Sequence, residues 1–543
     1  MNVKSFANAI RGSGVALILA LCLFGHGFAL LFGSLLGSIL QDFLVLLRDP
    51  QLQWLLFLCL CIYLIIFTYI KARLLVERVW RFDNPSLWLA AALLIGAIVY
   101  AINYPTASQS TQALTLLTGV TLGRGVWLWP SRQKKGEIPT SFILYDFVLL
   151  LLIASLWHTD MSRGFEYRGE RRWTSLWDNP NIFGLLMGTG FSLAFALGVG
   201  RWKIEDGESK EADRNWKLKF RRYLCAFLCI LAAMFMGRGL LHSYSRGAWM
   251  ATACGGMYLF WHWINHEIYQ IHESKSLRSS RGLPRSSEAK AGIEAPSSKS
   301  KIESPKSEIN GAFSRRLPRL VKAFQFSCIS CVSWLSNNWL PLSVILVSAV
   351  VLVFWHFQQM EWHPARRALS AVNTVDFSWR NRISAWEGAL QIAAEHPWFG
   401  AGWNQPERLY EHYYLPPKLT ESAAIQMNDY LMLGATLGLP ALFSFAMYIW
   451  LSLTGKSEIE NRKSEIQNTE TGGMHCPTFP QPSAYSLQPL ALSAACRAGA
   501  IVLLVGFWFD GGLFNLATAS TFWILLELGS AGNREICEPH END

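Results

Sequence analysis

The chain is 543 residues long, 51% hydrophobic and only 16% charged, with 24 Trp and a formal net charge of +9. A soluble globular domain carries about a quarter charged residues, so the composition excludes an ordinary soluble enzyme and points to a polytopic membrane protein. The positive charge does not call for a nucleic-acid partner, because most Lys and Arg lie in loops beside apolar runs, the positive-inside pattern of membrane proteins.

Twelve apolar segments follow in chain order: about 15–38, 52–70, 86–103, 109–129, 141–158, 181–200, 222–241, 247–265, 339–357, 428–453, 491–509 and 511–528. Each approaches the roughly 20 residues needed to span a bilayer. The first follows Lys4 and Arg11, is too long for a signal-peptide core and has no small-residue cleavage site behind it, so a retained anchor is expected. A cytoplasmic N-terminus puts Lys71 to Arg81, Arg132 to Lys135, Arg201 to Arg222 and residues 266–338 on the same side, and makes both termini cytoplasmic. The expected fold is all-α and membrane-spanning, with about twelve helices and one large loop on the outer face.

The expected organisation is eight helices in 1–265 and a basic, partly disordered cytoplasmic insert at 266–338. A ninth helix at 339–357, the large outer loop at 358–427 and a tenth helix at 428–453 follow. A second disordered cytoplasmic insert covers 454–490, and the last two helices and a tail fill 491–543. Within the inserts, 273–318 is rich in Ser, Lys and Pro, and 455–485 holds the near-repeat KSEIENRKSEIQN; neither buries enough apolar surface to fold alone. All 11 Cys fall in spans or cytoplasmic segments, which argues against a disulfide framework. Cys328 and Cys331 form a lone CxxC, read as packing rather than zinc. No metal or other cofactor is expected, since the outer face carries no DxD-like pair.

Three segments remain for the outer face. The first, HTDMSRGFEYRGERRWTSLWDNPN (158–181), holds Arg163, Arg168, Arg171 and Arg172, which the positive-inside rule would not put there. They bind an anion, or they are neutralised by Asp160, Glu166, Glu170 and Asp178. The second is the turn 242–246, in SYSRGAW, where Arg246 either snorkels to headgroups or presents a planar fork to phosphate. The third, 356–427, contains FSWRNRISAWEGALQIAAEHPWFGAGWNQ with Arg380, Arg382, Glu387, Glu395 and His396. Arginines gathered beside a low-dielectric bilayer suit a lipid-linked diphosphate, whose charge grows as it leaves. Gly400 and Gly402 read as a turn, Gly438 and Pro440 as a kink, Trp398 and Trp403 as an interfacial aromatic belt, and His396 as structural. Arg124 and Arg238, near span ends, read as snorkelling side chains.

Four pieces, RRWTSLWDNPNIFG (171–184), SRGAW (245–249), RISAWEGALQIAAEHPWFGAGWNQ (382–405) and NDYLMLGATLGLPAL (428–442), together resemble the O-antigen ligase and polymerase superfamily of bacterial envelope proteins. The resemblance implies a GT-C-like helical bundle in the bacterial inner membrane with a large periplasmic loop between late spans. It also implies metal-independent, inverting transfer of a glycan from an undecaprenyl-diphosphate carrier to a hydroxyl of a lipid or glycan acceptor. A polymerase or protein O-glycosylase of the same superfamily is the near alternative; a transporter or non-catalytic membrane binding protein is the distant one. By position, Arg246 is the family's span-end arginine and Arg382 its loop arginine, with Arg380 competing for the second place and Arg171 or Arg172 assisting. Asn428 hydrogen-bonds the acceptor or caps a helix. Where the family reads His-Asn, this chain reads Met427-Asn428, and methionine cannot take a proton. His412 is the catalytic substitute expected here, with Glu411, Glu421 and Glu387 behind it.

Overall fold

A computed structural model describes residues 18–24, 62, 85–103, 107–128, 140–156, 166–167, 170–177, 179–203, 216–281, 377–417, 425–426, 428–454 and 489–531. The expected span at 339–357, all but residue 62 of that at 52–70, most of that at 15–38, residues 455–488 of the second insert and the Cys328–Cys331 pair lie outside these residues. The chain forms two units, Met1–Ile264 with Arg366–Asp543, and Asn265–Ala365. Of the second, only the end of one helix is described.

In order, the elements are α1 (Pro85–Asn103), α2 (Ala107–Leu128), α3 (Thr140–Leu156), β1 (Glu166–Tyr167), β2 (Glu170–Arg171), α4 (Pro180–Lys203), α5 (Trp216–His242) and α6 (Arg246–Arg281). Then come α7 (Phe377–Glu395), α8 (Gln405–Leu409), a π-helix (Tyr410–Tyr414), α9 (Asp429–Leu437), α10 (Leu439–Thr454), α11 (Pro489–Phe509) and α12 (Leu516–Ala531). The architecture is helical apart from a two-residue antiparallel ladder pairing Glu166 with Arg171 and Tyr167 with Glu170.

Parts of α1, α4, α5 and α11 are long and apolar enough to cross a membrane: Pro85–Ile102, Pro180–Gly200, Tyr223–His242 and Leu492–Phe509. Shorter apolar helices cover Ile143–Leu156, Leu439–Thr454 and Leu516–Ser530. Burial sorts them. The spanning stretch of α4 is 78% buried and that of α1 only 28%, so α4 is central and α1 peripheral. A helix apolar on every side needs protein or lipid around it, and on α1 the exposed Leu94, Ile98 and Ile102 recur every four residues as one outward stripe. In the core α4 packs on α5 and α11, α12 on α2 and α11, and α10 on α1.

Four sequence expectations change. The span expected at 428–453 is two helices, not one kinked helix: Gly438 has φ +87°, which takes it out of the helical region, and α10 restarts at Leu439 with Pro440 in its first turn, where a missing N–H costs nothing. The stretch 266–281 of the insert expected in the cytoplasm, including 273–281 of the part read as disordered, continues α6 as helix. No Gly or Pro interrupts it before Gly282 and Pro284. Trp403 is buried with its indole nitrogen 3.4 Å from the Gly96 carbonyl, whereas Trp398 is 71% exposed, so only Trp398 fits an interfacial position. Arg124 does not snorkel. Its Nε lies 3.2 Å from Glu527, its guanidinium lies 5.6 Å over the Tyr448 ring, and the Tyr448 hydroxyl also bonds Glu527.

Candidate functional site

Between α11 and α12 the chain turns through Asp510-Gly511-Gly512, with Gly511 at φ +69° and Gly512 at φ +134°. Only glycine takes these angles without strain. The turn holds the Asp510 carboxylate in the protein interior, 7% exposed. One oxygen accepts from Arg382 Nη2 at 3.1 Å, and the other accepts the Ser245 hydroxyl.

Ser245 caps α6: its Oγ also accepts from the Ala248 N–H at 3.2 Å. The carboxylate therefore lies at a helix N-terminus, where the backbone dipole favours negative charge. Gly247 makes the approach feasible, since a Cβ there would collide with the Asp510 carboxylate. The turn before α6 is braced from the 158–181 segment. Arg172 donates through Nε to the Ser243 carbonyl and through Nη2 to Asn181, both at 2.8 Å. Trp173 donates its N–H to the His242 carbonyl at 3.1 Å and stacks on the His242 ring with centroids 4.0 Å apart.

Arg382 reaches Asp510 because of its phase on α7. Two residues apart on a helix is about 200°, so Arg380 and Arg382 cannot share a face. Arg382 continues the buried stripe of Ala385, Ala389 and Ile392, while Arg380 is exposed. The Asp510 contact uses one end of the guanidinium, and the buried Nε has no hydrogen-bond partner among the described residues.

The start of α9 closes on the same turn. Asn428 is fully buried and caps α9, its Oδ1 accepting from Tyr430 N at 3.2 Å and Leu431 N at 3.1 Å; its Nδ2 has no partner among the described residues. Asp429 accepts the Leu513 N–H at 2.7 Å. A Cβ on Gly511 would meet the Gln426 carbonyl at 2.5 Å.

The starts of α6 and α9 and one face of α7 thus converge on residues 510–513. This places Arg382 and Asn428 at one locus, with Arg246 buried as the first residue of α6, between two residues that touch Asp510. Other candidates stand apart. Arg172 is committed to bracing, Arg171 is exposed at the end of the two-residue ladder, and Arg380 is exposed. His412 is exposed on the π-helix with its ring 5.2 Å from that of Tyr413, and no hydrogen bond or ion pair among the described residues joins it to Asp510. Nearby, Tyr414 donates to Glu395 at 2.5 Å, and that bond, with the carboxylate's charge, raises the phenol above its ordinary pKa. Glu387, Glu411 and His396 are exposed, and Met427 and Glu421 lie outside the described residues. Gly400 and Gly402 both have positive φ, in a turn that donates from Ala401 and Gly402 to the end of α9.

Sequence reasoning missed Asp510, Asp429 and Glu407. Asp510 was visible as an acid closing an apolar run, FWFDGG, where an ionisable residue marks a site by default. The arrangement offers, in a buried setting, a helix start that begins with Arg246 and a second arginine, Arg382, oriented by the Asp510 carboxylate. Among the described residues no group of three His, Cys, Asp or Glu is placed to hold a metal ion.

Residues 321–446 match a protein-family model described as O-antigen ligase. The matched region contains α7, α8, the π-helix, α9 and the start of α10, hence Arg382, Glu407 and Asn428; Arg246 and Asp510 lie outside it. No curated protein matches the chain.

Proposed function

Because residues 321–446 carry the domain of the O-antigen ligase and polymerase superfamily of membrane glycosyltransferase-like enzymes, we propose that this chain is an inner-membrane glycosyltransferase with both termini cytoplasmic. It moves a glycan from an undecaprenyl-diphosphate carrier to a lipid or glycan acceptor hydroxyl. The acceptor oxygen attacks the anomeric carbon opposite the diphosphate and inverts it. The C–O bond to the diphosphate breaks with its electron pair, and Arg246 and Arg382 stabilise the charge that develops, without a metal. Asn428, through its unpartnered Nδ2, donates to the acceptor or the glycan. The bundle has about twelve spans, with 358–427 periplasmic.

The observation that carries this reading is the salt bridge of Arg382 to Asp510, whose other oxygen takes the hydroxyl of the residue preceding Arg246. Chain segments more than a hundred residues apart in sequence are tied to one carboxylate, which presets the Arg382 guanidinium and the turn that carries Arg246 before substrate arrives and lowers the reorganisation needed in the reaction.

A second reading, transporter or non-catalytic binding protein, draws on the buried Arg124–Glu527 pair and the helix break at Gly438, since ionisable groups and broken helices within the membrane accompany transport. Glycan transfer in purified membranes from a labelled undecaprenyl-diphosphate donor separates the two. Wild type is expected to transfer, and Arg246→Ala and Arg382→Ala to fail. Equal transfer by all three rejects the site; no transfer by wild type with any acceptor favours the second reading. A faster Met427→His variant would place that position at the reacting centre.

A further inference from the structure

We infer that Glu407 is the general base that takes the acceptor's proton, an assignment that rests on the transfer reaction proposed above. In that reaction the acceptor must lose a proton as its oxygen bonds to the anomeric carbon. The arginines cannot receive it, since guanidinium stays protonated. A carboxylate can, if it reaches the hydroxyl directly or through one water.

Six carboxylates lie on α7, α8, the π-helix and α9 and in the turn itself: Glu387, Glu395, Glu407, Glu411, Asp429 and Asp510. Asp510 is held by Arg382 and Ser245, which makes it an orienting group. Asp429 is buried and fixed on the Leu513 N–H. Glu395 accepts the Tyr414 hydroxyl. Glu387, five residues beyond Arg382, is exposed and falls about 140° around α7 from it. Glu411 is exposed on the π-helix.

Glu407 differs from all of these. It is half-buried on α8, which packs against both α7 and α9, the helices that bring Arg382 and Asn428 to the site. Its Oε2 accepts from Gln426 Nε2 at 2.6 Å. The Gln426 carbonyl in turn abuts Gly511, the neighbour of Asp510. The second oxygen, Oε1, carries no hydrogen bond to the described residues. One oxygen is thus oriented and the other takes no hydrogen bond from the described residues, on a helix packed against the two that carry Arg382 and Asn428. Pro406, buried beside Glu407, fixes the start of α8.

In the balanced step, the acceptor O–H proton passes to Glu407 Oε1 while its oxygen bonds the anomeric carbon. The glycosyl–diphosphate bond breaks, and the diphosphate departs with the electron pair onto the arginines. Glu407 then returns the proton to water at the exposed rim.

The test is transfer kinetics of the full chain in membranes from a labelled undecaprenyl-diphosphate donor, for wild type, Glu407→Ala, Glu407→Asp and Arg382→Ala, with and without sodium formate. Loss of a general base should lower kcat about 10²- to 10⁴-fold with little change in the donor's KM. Formate should recover part of the Glu407→Ala rate and none of the Arg382→Ala rate. Glu407→Asp, which keeps a carboxylate, should stay above Glu407→Ala, and detergent-extracted material of the same size and amount as wild type excludes misfolding as the cause. Full activity of Glu407→Ala, or a loss that neither formate nor aspartate relieves, overturns the assignment while Arg382→Ala can still uphold the reaction. An inactive wild type overturns both.

Discussion

Two buried arginine–carboxylate pairs sit among the described residues, and they are built differently. Arg124 and Glu527 come from helices α2 and α12, and Tyr448 of α10 completes the set with a hydroxyl on Glu527 and a ring under Arg124. The Glu527 carboxylate is held from two sides. Arg382 and Asp510 come instead from a loop helix and a glycine turn, meet at the capped start of α6, and leave Arg382 Nε and the adjacent Asn428 Nδ2 without partners. A buried polar atom left unpaired costs free energy that a bound ligand can return. The pair at the glycine turn therefore stands where a spare side-chain amide also reaches the same turn, whereas the other pair is enclosed by the three helices it ties together.

The largest expected effect breaks the Arg124 pair. Glu527→Ala leaves a buried guanidinium without its counter-charge and should cost about 3–5 kcal/mol of stability. Thermal unfolding in detergent would show this as a lower midpoint, and the double change Arg124→Met with Glu527→Leu should recover most of it. Loss of transfer by that double variant at normal abundance would show that the pair has a functional role after all.

Next in size is Arg382→Lys, which keeps the charge and loses the planar fork. Removing a preset transition-state donor costs about 10²- to 10³-fold in rate, so transfer should fall by about that factor while abundance stays near wild type. A variant with full activity would reduce Arg382 to a structural partner of Asp510, like Arg124 with Glu527. Asp429→Ala is smaller again. It strands the buried Leu513 N–H, about 1–3 kcal/mol, and loosens the turn that aims Asp510, so stability and transfer should decline together.

How much of this was legible follows the physics of each signal. The boundaries of α1, α4 and α11 fall within a few residues of the apolar runs 86–103, 181–200 and 491–509, because bilayer thickness and hydropathy fix length directly. Arg246 and Arg382 were reachable through motif wording. Asp510, Glu527 and Glu407 were not, for different reasons. Asp510 and Glu527 each interrupt an apolar run by one residue, which barely changes a hydropathy window, although a lone acid there is the informative event. Glu407 matters only through a hydrogen bond to a residue nineteen positions away, and no local pattern encodes that. The Gly438 break also escaped: a Gly-Leu-Pro triplet is compatible with a kink or with two helices, and the left-handed angle that decides between them comes from the turn 397–402 packing on α9.

The smallest predicted effect is the sharpest on orientation. Arg380 and Arg382 are near-identical in local sequence context, and a motif comparison leaves either as the phosphate ligand. The helix phase does not: Arg382 lies on the Ala385–Ala389–Ile392 stripe and Arg380 faces outward. An exposed arginine contributes little through screened charge. Arg380→Ala should therefore change stability by no more than about 0.5 kcal/mol and transfer by no more than about twofold, the rate equivalent of that energy. Measured beside Arg382→Ala in the same membranes, equal losses would mean that α7 turns its outer face to the substrate, and that the buried Asp510 contact belongs to a resting arrangement the reaction must first undo.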